Sequence, residues 1–198
     1  MSNTSATGGY LSSAPEAPLP GDLTFDQFLQ TVFAGISGLD GTLVRQKWQI
    51  DPPKQPDITV NWLAIGLNED DADTFAYNSI AQSPSIANVF QRMESLSVQC
   101  SFYGPDALDI GRATRDGFQI GQNREALQSA KMDFVATSKL VRAPDLVNER
   151  WVNRWEMTVS LRREVLRVYP ILTFLSVSGT LKVLQSSGVR TLAINVEE

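Results

Sequence analysis

The stretch Ser95-Leu-Ser-Val-Gln-Cys-Ser-Phe102 decides the fold class. Apolar residues alternate in it with polar ones, which is the period of a strand with one buried face. The apolar residues are Leu96, Val98, Cys100 and Phe102. The β pattern extends back to Ile86 and ends at Gly104-Pro105, so we predict a long strand whose apolar face must be covered by other elements.

Two helical segments are predicted to supply that cover. In the first, apolar residues recur with helical spacing at Phe25, Phe28, Leu29, Val32, Phe33 and Ile36. Thr24 and Gln27 fit a capping box at its start, and Gly38 fits its end. The second runs from Asp106 to about Ala130. Its glycines, Gly111, Gly117 and Gly121, predict tight packing or a break near Gly117.

Further strands are predicted on both sides of the long one. The pattern indicates strands at 43–50 and 57–67, a hairpin of 134–142 with 151–163 around a turn at 145–149, and short strands at 171–175, 181–184 and 189–196. This order predicts an α+β fold, with a mostly antiparallel β-sheet flanked by helices. We divide the chain into a flexible or partner-binding arm at 1–21, an α+β domain at 22–175 and a C-terminal β extension at 176–198.

The composition excludes most common catalytic machinery. The chain has 198 residues, no histidine and a single cysteine, Cys100. It therefore lacks any Ser-His-Asp triad, His-ligated zinc site, internal disulfide or multi-cysteine metal site. No glycine pattern matches a phosphate-binding loop. We predict no catalytic, cofactor-binding or metal-binding residues, no cofactor, and a protein that is not an enzyme.

Charge is distributed unevenly along the chain. Residues 1–80 contain three basic residues (Arg45, Lys47 and Lys54) and ten acidic ones, a net charge of −7, whereas residues 81–198 contain 14 and 12, a net charge of +2. Such asymmetry suits a protein with an acidic face for one partner and a mildly basic face for another. The overall charge of −5 disfavours nucleic-acid binding by the free protein. We expect no signal peptide and no membrane-spanning segment.

Three segments are candidates for contact with partners. Segment 149–164 interleaves basic and aromatic residues: Arg150, Trp151, Arg154, Trp155, Arg162 and Arg163. It fits a half-buried strand with a charged outer face, an oligomer interface, in which Trp and Arg are enriched, or a surface for single-stranded nucleic acid. In the N-terminal arm, Tyr10 and Leu11 would anchor the chain to a neighbouring subunit. Glu69, Asp70, Asp71 and Asp73 form an acidic tract, predicted as an exposed loop and not as an EF-hand cation site.

Three runs of the chain resemble neck and tail-terminator proteins of tailed bacteriophages. They are Gln91-Arg-Met-Glu-Ser-Leu-Ser-Val-Gln-Cys-Ser-Phe-Tyr-Gly-Pro-Asp106, Arg115-Asp-Gly-Phe-Gln-Ile-Gly-Gln-Asn-Arg124 and Arg150-Trp-Val-Asn-Arg-Trp-Glu-Met-Thr-Val-Ser-Leu-Arg162. The similarity extends over residues 23–175. Its motifs are structural, so it adds no catalytic residue.

The resemblance implies a structural virion protein of the phage neck and tail that forms a homo-oligomer, a hexameric ring, and is assembled in the host bacterial cytoplasm. The ring would cap the tail tube and join it to the head connector, with genomic DNA passing transiently through the lumen. Its partners would be tail-tube and head-connector proteins. The Arg- and Trp-rich segment then becomes a candidate subunit interface, and the acidic tract a candidate lumen or axial face. The alternatives are another neck adaptor or connector, or a tail-tube-like component.

Overall fold

A computed structural model describes residues 10–16, 19–81, 87–147, 149–171, 176–185 and 188–197. The chain forms two compact units. The larger unit comprises the described residues of 15–77 and 91–166, and the smaller those of 1–14, 78–90 and 167–198. The domain boundaries predicted at 21/22 and 175/176 stay a prediction.

Eleven strands are present in the described residues. They are β1 (Val44–Gln46), β2 (Trp62–Ala72), β3 (Tyr77–Ala81), β4 (Ala87–Tyr103), β5 (Met132–Thr137), β6 (Val141–Arg142), β7 (Asp145–Val147), β8 (Arg150–Val152), β9 (Arg154–Pro170), β10 (Ser176–Gln185) and β11 (Gly188–Glu197). The main sheet has the order β1-β2-β4-β9-β5, with β3 beside β4 and β6 beside β9. Its β1–β2 pair is parallel, whereas β2–β4, β5–β9 and β6–β9 are antiparallel. The predicted α+β class with a mostly antiparallel sheet is confirmed.

The first predicted helix is confirmed as α1, Phe25–Ser37. At its start the Gln27 N–H donates to Thr24 Oγ1 at 3.3 Å, and the Thr24 N–H donates to Gln27 Oε1 at 3.0 Å. These two bonds complete the predicted capping box. Gly38 adopts the left-handed conformation that ends the helix, and its N–H donates to the Ala34 carbonyl.

The second predicted helical stretch breaks at Gly117. Helix α2 spans Ala107–Gly117, and after a 3₁₀ turn helix α3 spans Glu125–Ser129. A Cβ atom on Gly117 would lie 2.8 Å from the Ile36 side chain of α1, so the predicted tight packing is present there. At Gly121 nothing lies within 4 Å of such an atom, and the packing prediction is wrong for that residue.

The core lies between the helices and one face of the main sheet. Phe33 of α1 meets Phe118 edge to face with ring centroids 5.2 Å apart, and Phe118 stacks on Phe134 of β5 at 5.3 Å. The strand residues of this core are Leu63, Ile65, Leu96, Val98, Cys100, Phe102, Met157, Val159 and Leu161. Burying each large apolar side chain contributes roughly 1.5–3 kcal/mol. The helices thus cover the apolar face that the alternation at 95–102 predicted.

Several local predictions are wrong. In segment 43–50 only Val44–Gln46 is a strand, because Trp48 has a φ of 57°, which a strand cannot continue. The predicted strand at 57–67 begins only at Trp62. The predicted acidic loop is largely strand, because β2 runs through it to Ala72, paired with β4. The predicted turn at 145–149 contains β7.

The smaller unit contains a two-stranded antiparallel hairpin. Strands β10 and β11 pair from Ser176↔Glu197 to Gln185↔Gly188, which confirms the strands predicted at 181–184 and 189–196. For the strand predicted at 171–175, residues 172–175 lie outside the described residues. Elsewhere in this unit the Ala14 N–H donates to the Val168 carbonyl at 2.8 Å. Among the helices that the structure describes, none is long and apolar enough to cross a membrane.

Candidate interaction surfaces

The face of the main sheet opposite the core is polar. It carries Ser95, Ser97, Gln99, Ser101 and Tyr103 from β4, and Arg154, Glu156, Thr158, Ser160 and Arg162 from β9, alternating with the core residues. Nearly all of these side chains are half-buried or exposed. We call this side of the sheet the polar face. It holds two of the predicted interface residues, Arg154 and Arg162.

Arg154 is held within the subunit by carboxylates. Its guanidinium pairs with Asp145 and, at 3.5 Å, with Glu156. Burial lowers the pKa of Arg154, but a hydrogen bond with Tyr103 and the two carboxylates raise it by more, so that the pKa is raised overall. The charge of Arg154 is therefore already compensated inside the subunit.

Lys47 extends this network across the polar face. Its Nζ donates to Ser101 Oγ at 2.8 Å, and Ser101 Oγ donates to Glu156 Oε1 at 3.4 Å. Burial lowers the pKa of Lys47, and the charge of Glu156 opposes that shift. The side chain thus spans from segment 47–56, where the chain leaves β1, to the middle of the sheet.

Three further residues of the Arg- and Trp-rich segment also make internal contacts. Arg162 pairs with Asp73 at 2.9 Å. Arg163 pairs with Glu16 and lies over the Phe25 ring, with its guanidinium carbon 5.3 Å from the ring centroid. Trp155 packs against the core. For these residues the contacts favour the half-buried strand among the three interpretations of the segment.

Arg150 and Trp151 differ, because both lie exposed on the hairpin of β7 and β8. Trp151 is 69% exposed, and its register partner Leu146 is 60% exposed. Exposed tryptophans of this kind are enriched among the residues that dominate protein–protein binding. The hairpin is thus the part of segment 149–164 best placed to contact a partner.

A groove that the sequence did not predict lies beside β1 and the start of β2. Trp62 stacks on Tyr103 with ring centroids 4.1 Å apart, and the Arg45 guanidinium carbon lies 5.8 Å from the Trp62 centroid. The cavity has a volume of about 550 Å³, and Lys47 and Trp48 form part of its wall. Such a wall offers flat aromatic surface and positive charge to a ligand.

A second cavity, of about 560 Å³, adjoins the first, and Gln55 and Val147 line both. Its basic lining residues are Lys54 and Arg150. We call the two cavities together the basic groove, defined by Arg45, Lys47, Lys54 and Arg150. In the part of the chain that the structure describes, none of these four cations forms an ion pair.

Two acidic residues also line the basic groove, and each has a partner. Asp145 pairs with Arg154. Asp57 accepts hydrogen bonds from the N–H and the hydroxyl of Thr59, which lower its pKa, and the charge of Arg150 in the same groove also lowers it. Four basic and two acidic residues line the groove, so the net charge of its lining is positive.

Gly66 lets the Trp48 ring close over β2 at the edge of this groove. A Cβ atom on Gly66 would lie 2.5 Å from the Trp48 ring and 3.0 Å from Lys47 Cβ. The left-handed backbone of Trp48 turns its side chain back toward the sheet. The sequence contained one signal for this site: all three basic residues of positions 1–80 belong to it.

The acidic tract lies at the other end of β2. A bulge between Leu67 and Glu69 shifts the register, after which Glu69 pairs with Ser97, Asp70 with Leu96 and Asp71 with Ser95. Glu69 and Asp71 therefore share the polar face, and Asp70 lies on the opposite side.

The members of the tract differ in their partners. Asp73 is paired with Arg162. Glu69, Asp70 and Asp71 are exposed and form no ion pair with any described residue. Within the described part of the chain these three carboxylates therefore have no ion-pair partner, which leaves them accessible to a partner protein.

The two predicted arm residues differ in exposure, and the single cysteine lies in the core. Tyr10 is 92% exposed, and Leu11 is half-buried. Cys100 is fully buried on the core face, where burial raises the pKa of its thiol. Among the described residues, no group of three or more acidic or cysteine side chains is placed to hold a metal ion.

Comparison with known protein families gives a match over most of the chain. A sequence profile of the family described as phage neck terminator protein matches residues 24–184. The matched region begins at the cap of α1 and reaches into β10, so it includes the main sheet, all three helices and both surfaces described above. Among curated proteins, none matches this chain.

Proposed function

The chain belongs to the phage neck terminator family, and on that premise we propose that it forms a closed hexameric ring at the head-proximal end of the tail. Family membership makes it a structural protein of the phage neck, located in the virion and in contact with other virion proteins, and it points away from an enzyme. In our proposal the ring caps the tail tube, stops its growth and joins it to the head connector. The match across residues 24–184 is the observation that carries this proposal.

The mechanism would be steric and thermodynamic. A ring closes when one surface of each subunit binds a different surface of the next at a rotation that returns to the start. The hairpin of β7 and β8 supplies one exposed apolar contact through Trp151 and Leu146. Tyr10, 92% exposed, remains our proposed anchor of the N-terminal arm on a neighbouring subunit.

In such a ring the acidic tract lies either on the lumen wall or at the contact between subunits. On the lumen wall, its carboxylates would repel DNA phosphates and keep DNA passage fast. At the contact between subunits, they would attract cations of the neighbour. Neutralising the tract separates the two cases: a lumen tract leaves the ring intact and slows DNA ejection, whereas a contact tract opens the ring.

Two measurements test the ring and its role. Light scattering at several concentrations, followed by negative-stain imaging, should show closed rings with a central channel, formed by the chain alone or on tail tubes. Added to growing tail tubes, the chain should hold their length constant, because a capped end accepts no further subunits. Tubes that grow equally long with and without the chain would contradict terminator function.

The alternatives predict different results in the same assays. A tail-tube-like component would form open stacks whose length rises with concentration. A neck adaptor would bind the head connector and leave tube length unchanged. Binding to DNA that weakens steeply with salt would instead support a nucleic-acid surface at residues 150–163.

A further inference from the structure

We propose that the basic groove receives the acidic tract of a second copy of this chain, so that neighbouring subunits bind head to tail. The proposal rests on the proposed function, because it names the contact through which the ring closes. The segment that enters the groove is the end of β2 that contains the acidic tract, with Glu69 and Asp71 on the side that meets the groove.

The two surfaces of one subunit cannot meet each other. Trp62 and Ala64 of β2 line the groove, and the acidic tract follows on the same strand. The nine residues from Trp62 to Asp70 span about 27 Å, at about 3.4 Å for each of their eight steps. Strand β2 pairs with β4 on both sides of its bulge, which holds the two ends apart. The tract can therefore reach the groove of another copy but not that of its own subunit.

The charges of the two surfaces are complementary. The groove offers Arg45, Lys47, Lys54 and Arg150, none of which has an ion-pair partner among the described residues. The tract offers three carboxylates without an ion pair in the same part of the chain. Opposite charges placed across an interface guide association and fix its register.

The tract is also accessible as a strand edge. Strand β1 pairs only with Leu63–Ile65 of β2, so in the described sheet no strand lies beside Glu69–Asp71 on the side away from β4. Charged residues on such an edge discourage indiscriminate pairing with other strands. A positively charged groove would bind this negatively charged edge, whereas an ordinary strand would not pair with it.

Two charge-reversed variants test the contact. The groove variant is Lys54→Glu with Arg150→Glu, and the tract variant is Glu69→Lys with Asp71→Lys. All four side chains are exposed, so the variants should fold like the natural chain, which circular dichroism and urea unfolding would verify. The control variant Lys131→Glu with Lys139→Glu makes the same charge change at two exposed lysines outside the groove.

Each reversed variant alone should lose its ring. Like charges would then face each other at every contact, and we expect the affinity between subunits to fall at least about 100-fold. The control variant should assemble like the natural chain. Ring formation is read by light scattering and imaging, alone or on tail tubes, whichever condition gives rings of the natural chain.

An equimolar mixture of the two variants should restore rings. In an alternating ring the natural groove of one variant meets the natural tract of the other, and the two reversed surfaces also match. Native mass spectrometry should show equal numbers of both variants in each ring. The chain that carries all four substitutions has the natural net charge of −5 and should also assemble. Assembly of the Lys131→Glu, Lys139→Glu control, whose net charge equals that of the groove variant, excludes net charge as the cause of ring loss.

The outcomes separate this contact from the proposed function. Rings formed by either reversed variant alone, or no restoration by the mixture and by the fourfold variant, would overturn the head-to-tail contact while the terminator role stands. A tract variant with intact rings and slowed DNA ejection would place the tract on the lumen wall instead. Failure of the natural chain to form rings or to limit tube length would reject the proposed function itself.

Discussion

Replacing Gly104 with alanine should destabilise the fold more than any ordinary surface substitution. Gly104 follows the end of β4 with a φ of 109°, which residues with a side chain rarely adopt. A Cβ atom there would lie 2.4 Å from Asn61 Oδ1, 2.7 Å from Asn61 Cα and 2.7 Å from the Val60 carbonyl oxygen. Two of these three contacts are backbone atoms, so no rotation of a side chain relieves the clash.

The clash would also disrupt two hydrogen bonds, which connect Asn61 to Asp106 and Asn153 to Gly104. Asn61 Oδ1 accepts the N–H of Asp106 at 2.9 Å, and Asn153 Nδ2 donates to the Gly104 carbonyl at 2.9 Å. Backbone strain at positive φ costs about 1–3 kcal/mol, and each lost hydrogen bond about 1 kcal/mol. The sum, roughly 3–5 kcal/mol, is a large part of the 5–15 kcal/mol by which domains are typically stable.

Urea unfolding followed by tryptophan fluorescence, at one fixed protein concentration, measures this loss. Gly35→Ala is the matched control, because nothing lies within 4 Å of a Cβ atom at that position of α1. The control should gain up to about 1 kcal/mol from higher helix propensity. A Gly104→Ala variant within about 0.5 kcal/mol of the natural chain would refute the reasoning.

Three other predictions concern the surfaces and the core. Trp151→Ala should change the free energy of unfolding by less than about 0.5 kcal/mol, because the side chain is 69% exposed. The same variant should weaken ring assembly about tenfold. Normal assembly would exclude the β7–β8 hairpin from the contact. A double-mutant cycle on Arg162 and Asp73 should give a coupling of about 0.2–1 kcal/mol, the range of exposed ion pairs, and a coupling above 2 kcal/mol would contradict that. Burial raises the pKa of Cys100. The unfolded thiol ionises near pH 8.5, so below that pH the thiol should not affect the free energy of unfolding. Above it, this free energy should fall by about 1.4 kcal/mol per pH unit, because only the unfolded state loses the proton. The variant Cys100→Ala should lack this extra slope, and equal slopes in urea unfolding at pH 8–10 would show that the thiol is not buried.

The elements that the sequence predicted correctly depend on local patterns. Helix α1 follows from its apolar spacing and its two capping residues, and β4 follows from strict alternation at 95–102. The break at Gly117 also has a local cause, because glycine is a poor helix former. In each case residues within one element carry the whole signal.

The errors arise where distant residues decide the structure. The acidic run 69–71 was predicted as a loop from its charge, but β4 supplies strand partners that begin more than twenty residues later in the chain. Isolated charges are compatible with a strand when they lie at an edge facing solvent. The ion pair of Arg162 with Asp73 joins residues 89 positions apart, which no local pattern indicates.

The basic groove shows the same limit for the candidate site. Its walls come from the segment after β1, the start of β2, the end of β4 and the β7–β8 hairpin. The aromatic stack of Trp62 on Tyr103 exists only because β2 and β4 pair antiparallel and place these residues opposite each other. The composition nevertheless contained one signal for the groove. The first 80 residues are acidic overall, and their three basic residues, Arg45, Lys47 and Lys54, all line this groove.

The bulge at Asn68 determines which charges β2 presents. In a regular strand every second residue after Trp62 would share the polar face, which would place Asn68, Asp70 and Ala72 there. The extra residue shifts this alternation, so that Glu69 and Asp71 lie opposite Ser97 and Ser95 instead. The polar face therefore carries two carboxylates of this strand in place of one, at the end of β2 farthest from the basic groove. The inserted residue thus doubles the number of β2 carboxylates on the polar face far from the basic groove, which is the charge arrangement that the proposed head-to-tail contact would use.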